Sequence, residues 1–243
     1  MSSMAQEDEI GAFDWSATTQ SMRLVRYDAR GHGESETSDD PEALRWQALA
    51  VDMLGVADGV GADRLALGGA SMGCATALYA ALEAPERVEK LVLVIPPTAW
   101  STRRTQRRLY RAGAMMVATV GVGAFVAFIR TQPVPRRLHK TREVFLNHLA
   151  KADRRSVVAA MRGASRSDLP PRRRLEELRS PALILAWNDD PSHPVSTAQR
   201  LADSLPAATL HEATTAEDVE RWPDLVHEFL TGATVEPDRE KRT

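Results

Sequence analysis

The sequence predicts an α/β protein: a mostly parallel sheet with helices on both faces. Three observations carry that reading. Short apolar runs recur along the chain, helical patterns separate them, and a glycine-flanked serine stands where one apolar run passes into a helical one. The runs are Met22–Tyr27, Arg64–Gly69, Leu91–Ile95, Ala182–Trp187 and Ala208–Ala213. Short and largely unbroken by polar alternation, they fit strands buried on both sides, as a parallel sheet requires.

The intervening helices follow from side-chain spacing. Pro41 opens a pattern that runs to about Val60, with Leu44, Ala48, Val51, Leu54 and Ala57 on one face. A second helix follows Ser71 and ends near Ala84-Pro85, and a third covers about Ser196–Ser204. The last carries Trp222, Leu225, Val226, Phe229 and Leu230 at helical spacing, with Pro223 in its first turn. Between the third and fourth visible strands the alternation stops. Residues 101–179 are rich in arginine and helical in pattern, which reads as a helical cap inserted between two parts of one core, residues 1–100 and 180–231. The charged tail, 232–243, reads as disordered.

Composition narrows the functional classes. Lys and Arg number 31 against 33 Asp and Glu, so no general positive charge favours a nucleic-acid partner. The single cysteine, Cys74, permits no intramolecular disulfide, and the polar start MSSMAQEDEI is no signal peptide, so a cytoplasmic location is expected. The stretch Ala112–Ile129 is uncharged and reaches the lower length limit of a membrane span. Its Gly, Ala and Val content is only moderately apolar, so it reads as a buried or pocket-lining helix rather than a span, and no membrane partner is expected.

Chemistry enters at Gly69-Ala70-Ser71-Met72-Gly73, a G-x-S-x-G pattern between a buried strand and an Ala-rich helix. A turn this sharp forces strained angles on the serine, and the flanking glycines remove side chains that would collide. Ser71 is then raised above the sheet at the positive end of a helix, where the Met72 N–H can meet a developing oxyanion. Cys74, at the base of that helix, reads as a small core residue.

With these residues stand Tyr27-Asp28-Ala29-Arg30-Gly31-His32-Gly33-Glu34-Ser35, Pro85-Glu86-Arg87-Val88 and the strand Leu91–Ile95. In that order they resemble the α/β-hydrolase superfamily, and most of all esterases and lactonases of the β-ketoadipate enol-lactonase type. The resemblance covers most of residues 12–230. It implies the α/β-hydrolase fold, with the R-G-H-G-x-S turn, including His32, shaping a loop near the site.

Asn188-Asp189-Asp190-Pro191 follows the strand ending at Trp187, at the sheet edge that the serine faces. In the family the triad acid comes from this place, which favours Asp190, with Asp189 second. The family's base is a histidine after the last strand, yet Thr214–Trp222 contains none, and Asp218 falls where it is expected. His193, in Asp190-Pro191-Ser192-His193-Pro194, is the preferred substitute. His211 reads as packed mid-strand, and His227 as solvent-facing on the last helix. The family's His-Gly oxyanion motif and the strands before it are also missing, so the chain reads as N-terminally shortened. Arg103, Arg104, Arg107, Arg108 and Arg111 read as a solvated helix face rather than a binding patch.

Together these features predict a serine hydrolase that cleaves a small carboxylic ester or lactone through an acyl-enzyme on Ser71. Asp190 and His193 would complete the catalytic set, Met72 N–H would hold the oxyanion, and neither metal nor organic cofactor is implied. The alternative is an impaired hydrolase fold that binds a ligand or partner.

Overall fold

The computed structural model describes residues 4–11, 13–134, 136–188, 190 and 192–233. The predicted tail beyond Ala233 lies outside these residues. Two short helices, α1 (Met4–Ile10) and α2 (Ser16–Ser21), lead in. Then come α3 (Trp46–Gly59), β1 (Leu65–Ala70), α4 (Met72–Glu83) and β2 (Val88–Val94). A helical stretch follows: α5 (Arg103–Thr131), α6 (His139–Lys151), α7 (Arg154–Arg166) and α8 (Arg172–Leu175). The chain returns through β3 (Ala182–Trp187), α9 (Val195–Ala202), β4 (Ala208–Ala213), α10 (Ala216–Glu220) and α11 (Trp222–Thr231).

Among the described residues the sheet has four parallel strands in the order β1-β2-β3-β4. Both faces are covered, and side-chain alternation divides them. Leu91 and Leu93 of β2 and Ala182, Ile184 and Ala186 of β3 pack with α3, α4 and α9. Val92, Leu183 and Leu185 point the other way, onto Trp222 and Val226 of α11. This two-sided burial is why these strands read as continuous apolar runs.

Two expected elements differ. Met22–Tyr27 forms no strand: among the described residues the sheet ends at β1, and no ladder pairs the segment with it. A strand exists only through its ladder. The helix expected from Pro41 begins at Trp46 instead. Residues 41–45 form tight turns, with the N–H groups of Leu44 and Arg45 donating to the carbonyls of Pro41 and Glu42. Their carbonyls meet α7 closely: a Cβ on Gly163 would lie 2.7 Å from the Leu44 oxygen, so only glycine fits.

The helices between β2 and β3 have their own apolar cluster, built from Val117, Val126, Leu146, Leu149 and Val157. Arg103 ties them to the sheet domain. Its guanidinium is buried, stacks over the Trp46 ring at 4.2 Å, and donates to the carbonyls of Ser167 and Ala164. Arg107 pairs with Asp168 at 2.8 Å. The basic run is therefore not one solvated face, since two of its members are structural ties. The Ala112–Ile129 stretch, expected to be buried or pocket-lining, is buried on one side, where Val117 and Val126 join the cap cluster. α5 breaks at Gly121 (φ +89°, ψ 169°), and much of its outward surface is exposed.

Candidate active site

Ser71 is the one residue between the end of β1 and the start of α4. Its backbone sits at φ 52°, ψ −111°, a conformation costly for a residue with a Cβ. Neighbouring hydrogen bonds impose it. The Ser71 N–H donates to the Val94 carbonyl at 3.0 Å, and the Ser71 carbonyl accepts from the Cys74 N–H at 3.0 Å. Gly69 allows the turn to close, because a Cβ there would lie 2.7 Å from the Gly73 Cα. Gly73 has no reciprocal need, since a Cβ on it would meet nothing within 4 Å. The steric case for glycine thus holds on the strand side of the serine only.

Cys74 is fully buried, its sulfur 3.2 Å and 3.1 Å from the carbonyls of Gly69 and Val94. Burial pushes its thiol far above the ordinary range, which keeps it protonated and unreactive. A second strained residue, Ile95 (φ 44°), follows β2 and donates its N–H to the Leu185 carbonyl at 2.6 Å. Strain is concentrated at the carboxyl edge of the sheet, where Ser71 stands.

The facing group comes from the turn after β3. One Asp190 oxygen accepts the Ser192 N–H at 2.9 Å, and the His193 N–H donates to the Asp190 carbonyl at 3.0 Å. This turn places two side chains three positions apart on the same side. Asp190 Oδ2 lies 2.7 Å from His193 Nδ1, and His193 Nε2 lies 2.7 Å from Ser71 Oγ. An ionised carboxylate only accepts, so Nδ1 carries the proton and Nε2 accepts from the serine hydroxyl. Thr98, after β2, donates its N–H to the Ser192 carbonyl at 3.3 Å and so anchors the turn. No local pattern in the sequence signals that long-range role.

Electrostatics suit this order. Burial alone would raise the Asp190 carboxyl. The His193 hydrogen bond and charge, with the N–H groups of Ser192 and His193, outweigh burial and hold it below the usual carboxylate value. Met72 opens α4 directly after the serine, and the first N–H groups of a helix lack intrahelical partners. Such an N–H is available to an anion beside Ser71.

The other candidates are engaged elsewhere. Asp218 completes a capping box with Thr215 at the start of α10. The backbone N–H groups of Thr214 and Thr215 hold its carboxyl down at about 2. His211 lines, with Asp218, Trp222 and Leu225, a cavity of about 180 Å³ that contains none of Ser71, Asp190 or His193. His227 is half-buried, with its Nδ1 enclosed, rather than solvent-facing. His32 is buried and donates from Nδ1 to the Arg30 carbonyl at 2.9 Å. Asp189 lies outside the described residues. Among the described residues no group of three or more His, Cys, Asp or Glu is arranged to hold a metal ion.

Comparison with known proteins agrees with this arrangement of elements. Residues 16–219 match the family model of the alpha/beta hydrolase fold. RutD of Rhizobium rhizogenes, whose name is that of a carbamate hydrolase, is 30% identical over 204 residues, covering 80% of this chain and 74% of its own. The 3-oxoadipate enol-lactonase 2 of Acinetobacter baylyi is 26% identical over 204 residues, covering 82% and 73%. The crystal structure of the enol-lactonase from Burkholderia xenovorans LB400 superposes with a TM-score of 0.75 at 21% identity, covering 89% of this chain and 85% of that one.

Proposed function

Because this chain belongs to the alpha/beta hydrolase family and is a hydrolase, we propose that it cleaves a small carboxylic ester or lactone through an acyl-enzyme on Ser71. The observation that carries this reading is the unbroken hydrogen-bonded line from Ser71 Oγ through the His193 ring to Asp190, each link 2.7 Å long. His193 Nε2 takes the hydroxyl proton as Ser71 attacks the carbonyl carbon. The oxyanion forms at the start of α4, against the Met72 N–H. His193 then returns the proton to the departing alkoxide. In the second half water attacks the acyl-serine, His193 accepts its proton, and the carboxylic acid leaves as Ser71 regains its hydrogen. Asp190 holds the ring orientation and stabilises the imidazolium.

In this reading the base stands three residues after the acid, and the position after β4 serves helix capping instead. The substrate class follows from chemistry that an ester, a lactone and the carbamate in one relative's name share: an acyl carbonyl with a heteroatom leaving group. A fluorophosphonate probe tests it, because it phosphonylates only an activated serine. Labelling mapped by mass spectrometry to Ser71, and lost in His193→Ala, is the expected result. A folded protein that fails to label at Ser71 would overturn the reading.

A further inference from the structure

The apolar helix that the sequence reads as buried or pocket-lining presents several large side chains to the outside. Leu109, Met115, Val120 and Phe128 of α5 are 59%, 66%, 59% and 47% exposed. Ala112, Gly123, Ala124 and Ala127 are exposed beside them. The opposite side, with Val117 and Val126, packs on α6 and α7. The chain bends back at Gly121, which brings the Phe125 ring against Gly113, so these side chains come from two helical segments, 103–120 and 122–131, and the apolar surface they expose together is not an ordinary water-facing one.

α5 itself supplies charge of one sign only, although Glu143 of α6 pairs with Arg130 at 3.1 Å. α5 has no Asp or Glu, and Arg104, Arg108, Arg111 and Arg130 are exposed along it. Residues 103–166 carry fifteen Lys and Arg against two Asp and Glu, a net +13 in a chain whose formal net charge is -2. The rest of the chain is therefore acidic by sequence, and some of its carboxylates meet this segment: Asp168 pairs with Arg107, Glu42 with Arg166 and Glu9 with His148. Next to α5, Arg154, Arg155 and Arg162 line a cavity of about 300 Å³ with Ala118, Val158 and a single carboxylate, Asp39.

We propose that this helical region docks the protein on an anionic phospholipid surface. The outward side of α5 lies in the bilayer interface, and the arginines meet headgroup phosphates. The charge arrangement selects this occupant. A second copy would bring two strongly positive regions together, and a nucleic acid would leave the apolar strip without a partner. The helix does not span the bilayer. Beyond the break at Gly121 its ten residues reach about 15 Å, half of a hydrocarbon core of about 30 Å, and its inner side is committed to α6 and α7. An exposed apolar helical surface with arginine at its margins can bind by shallow insertion plus attraction to anionic lipid.

Co-sedimentation with vesicles tests the proposal, using phosphatidylcholine alone and an equimolar mixture with phosphatidylglycerol. The full chain is expected to bind the anionic vesicles at least about tenfold more strongly, and to be released by high salt. The triple variant R104Q/R108Q/R111Q should lose about fivefold for each arginine removed. M115E/F128E should lose about tenfold or more, with an unchanged melting temperature because both side chains are exposed. Failure to bind either vesicle, equal binding to both, or binding that survives both variants would overturn the proposal. So would duplex DNA binding without vesicle binding, or self-association that hides the strip. If M115E/F128E raised KM for a water-soluble ester and left vesicle binding intact, the strip would line a substrate cleft and the proposal would fall.

Discussion

Ser71 Oγ and His193 Nε2 meet at 2.7 Å although 122 residues separate them in the chain. Each is held from a different strand end, Ser71 by the backbone after β1 and His193 by the turn after β3. The strands are not adjacent: β2 lies between them, and it takes part in both attachments. Its Val94 carbonyl fixes Ser71, and Thr98 beyond it fixes the His193 turn. The pair therefore depends on the sheet register as much as on either residue.

If these two act as one unit, their losses will not add. Ser71→Ala and His193→Ala should each lower kcat for an activated ester by about a thousandfold or more, with the double variant no worse than the poorer single. Steady-state kinetics on the three variants decides this. A His193→Ala enzyme with full activity would remove that residue from the mechanism.

Asp190 is predicted to act through orientation and charge. Asp190→Asn keeps the shape but can present an amide N–H to Nδ1, favouring the wrong tautomer, and kcat should fall by about a thousandfold or more. Because the native carboxyl sits below its ordinary value of 3.8, it stays ionised at all higher pH. Its contribution to stability is present above the unfolded value and lost only as pH falls through the lower, folded one. A limb in the pH–rate profile above about pH 4 should therefore belong to another group. A limb in that range that disappeared only in Asp190→Asn would contradict the assignment.

Much of this arrangement can be read from local sequence, because its parts are local. The turn at Ser71 is written in Gly69 and in the apolar run before it. The Asp190–His193 pair is written in a three-residue spacing within one turn. What escaped depends on neighbours distant in sequence. Whether Met22–Tyr27 forms a strand is decided by the partner it lacks. The outward side of α5 was unreadable because a helix apolar nearly all round has no period to show which side the protein covers. Arg103 and Arg107 looked like surface charges, since their acceptors, at Ala164, Ser167 and Asp168, lie some sixty residues away.

The glycines of the serine turn should respond unequally. Gly69→Ala places a Cβ 2.7 Å from backbone that has nowhere to move, so it should cost about 2 kcal/mol or more and open the turn. Gly73→Ala meets open space within α4 and should be neutral or slightly stabilising. Urea denaturation together with fluorophosphonate labelling of both variants reads the difference. Equal behaviour would mean that the close approach at Gly69 does not limit the turn.

His32 should make the fold sensitive to acid well before its carboxylates do. The ring is buried in the turn between Gly31 (φ 73°) and Gly33 (φ 52°), and its Nδ1–H is given to the Arg30 carbonyl. Burial disfavours the charged form and pulls its pKa from 6.5 down to about 4. Between those values the unfolded chain binds a proton that the folded one refuses. Stability is therefore complete above about pH 6.5 and falls as pH drops toward 4, by up to about 3 kcal/mol. His32→Gln can still donate to the Arg30 carbonyl but cannot be protonated. Urea midpoints measured across that range should decline less steeply in the variant than in the parent. Parallel declines would show that His32 is protonated as readily in the folded protein as in the unfolded chain, and that its enclosure carries no electrostatic cost.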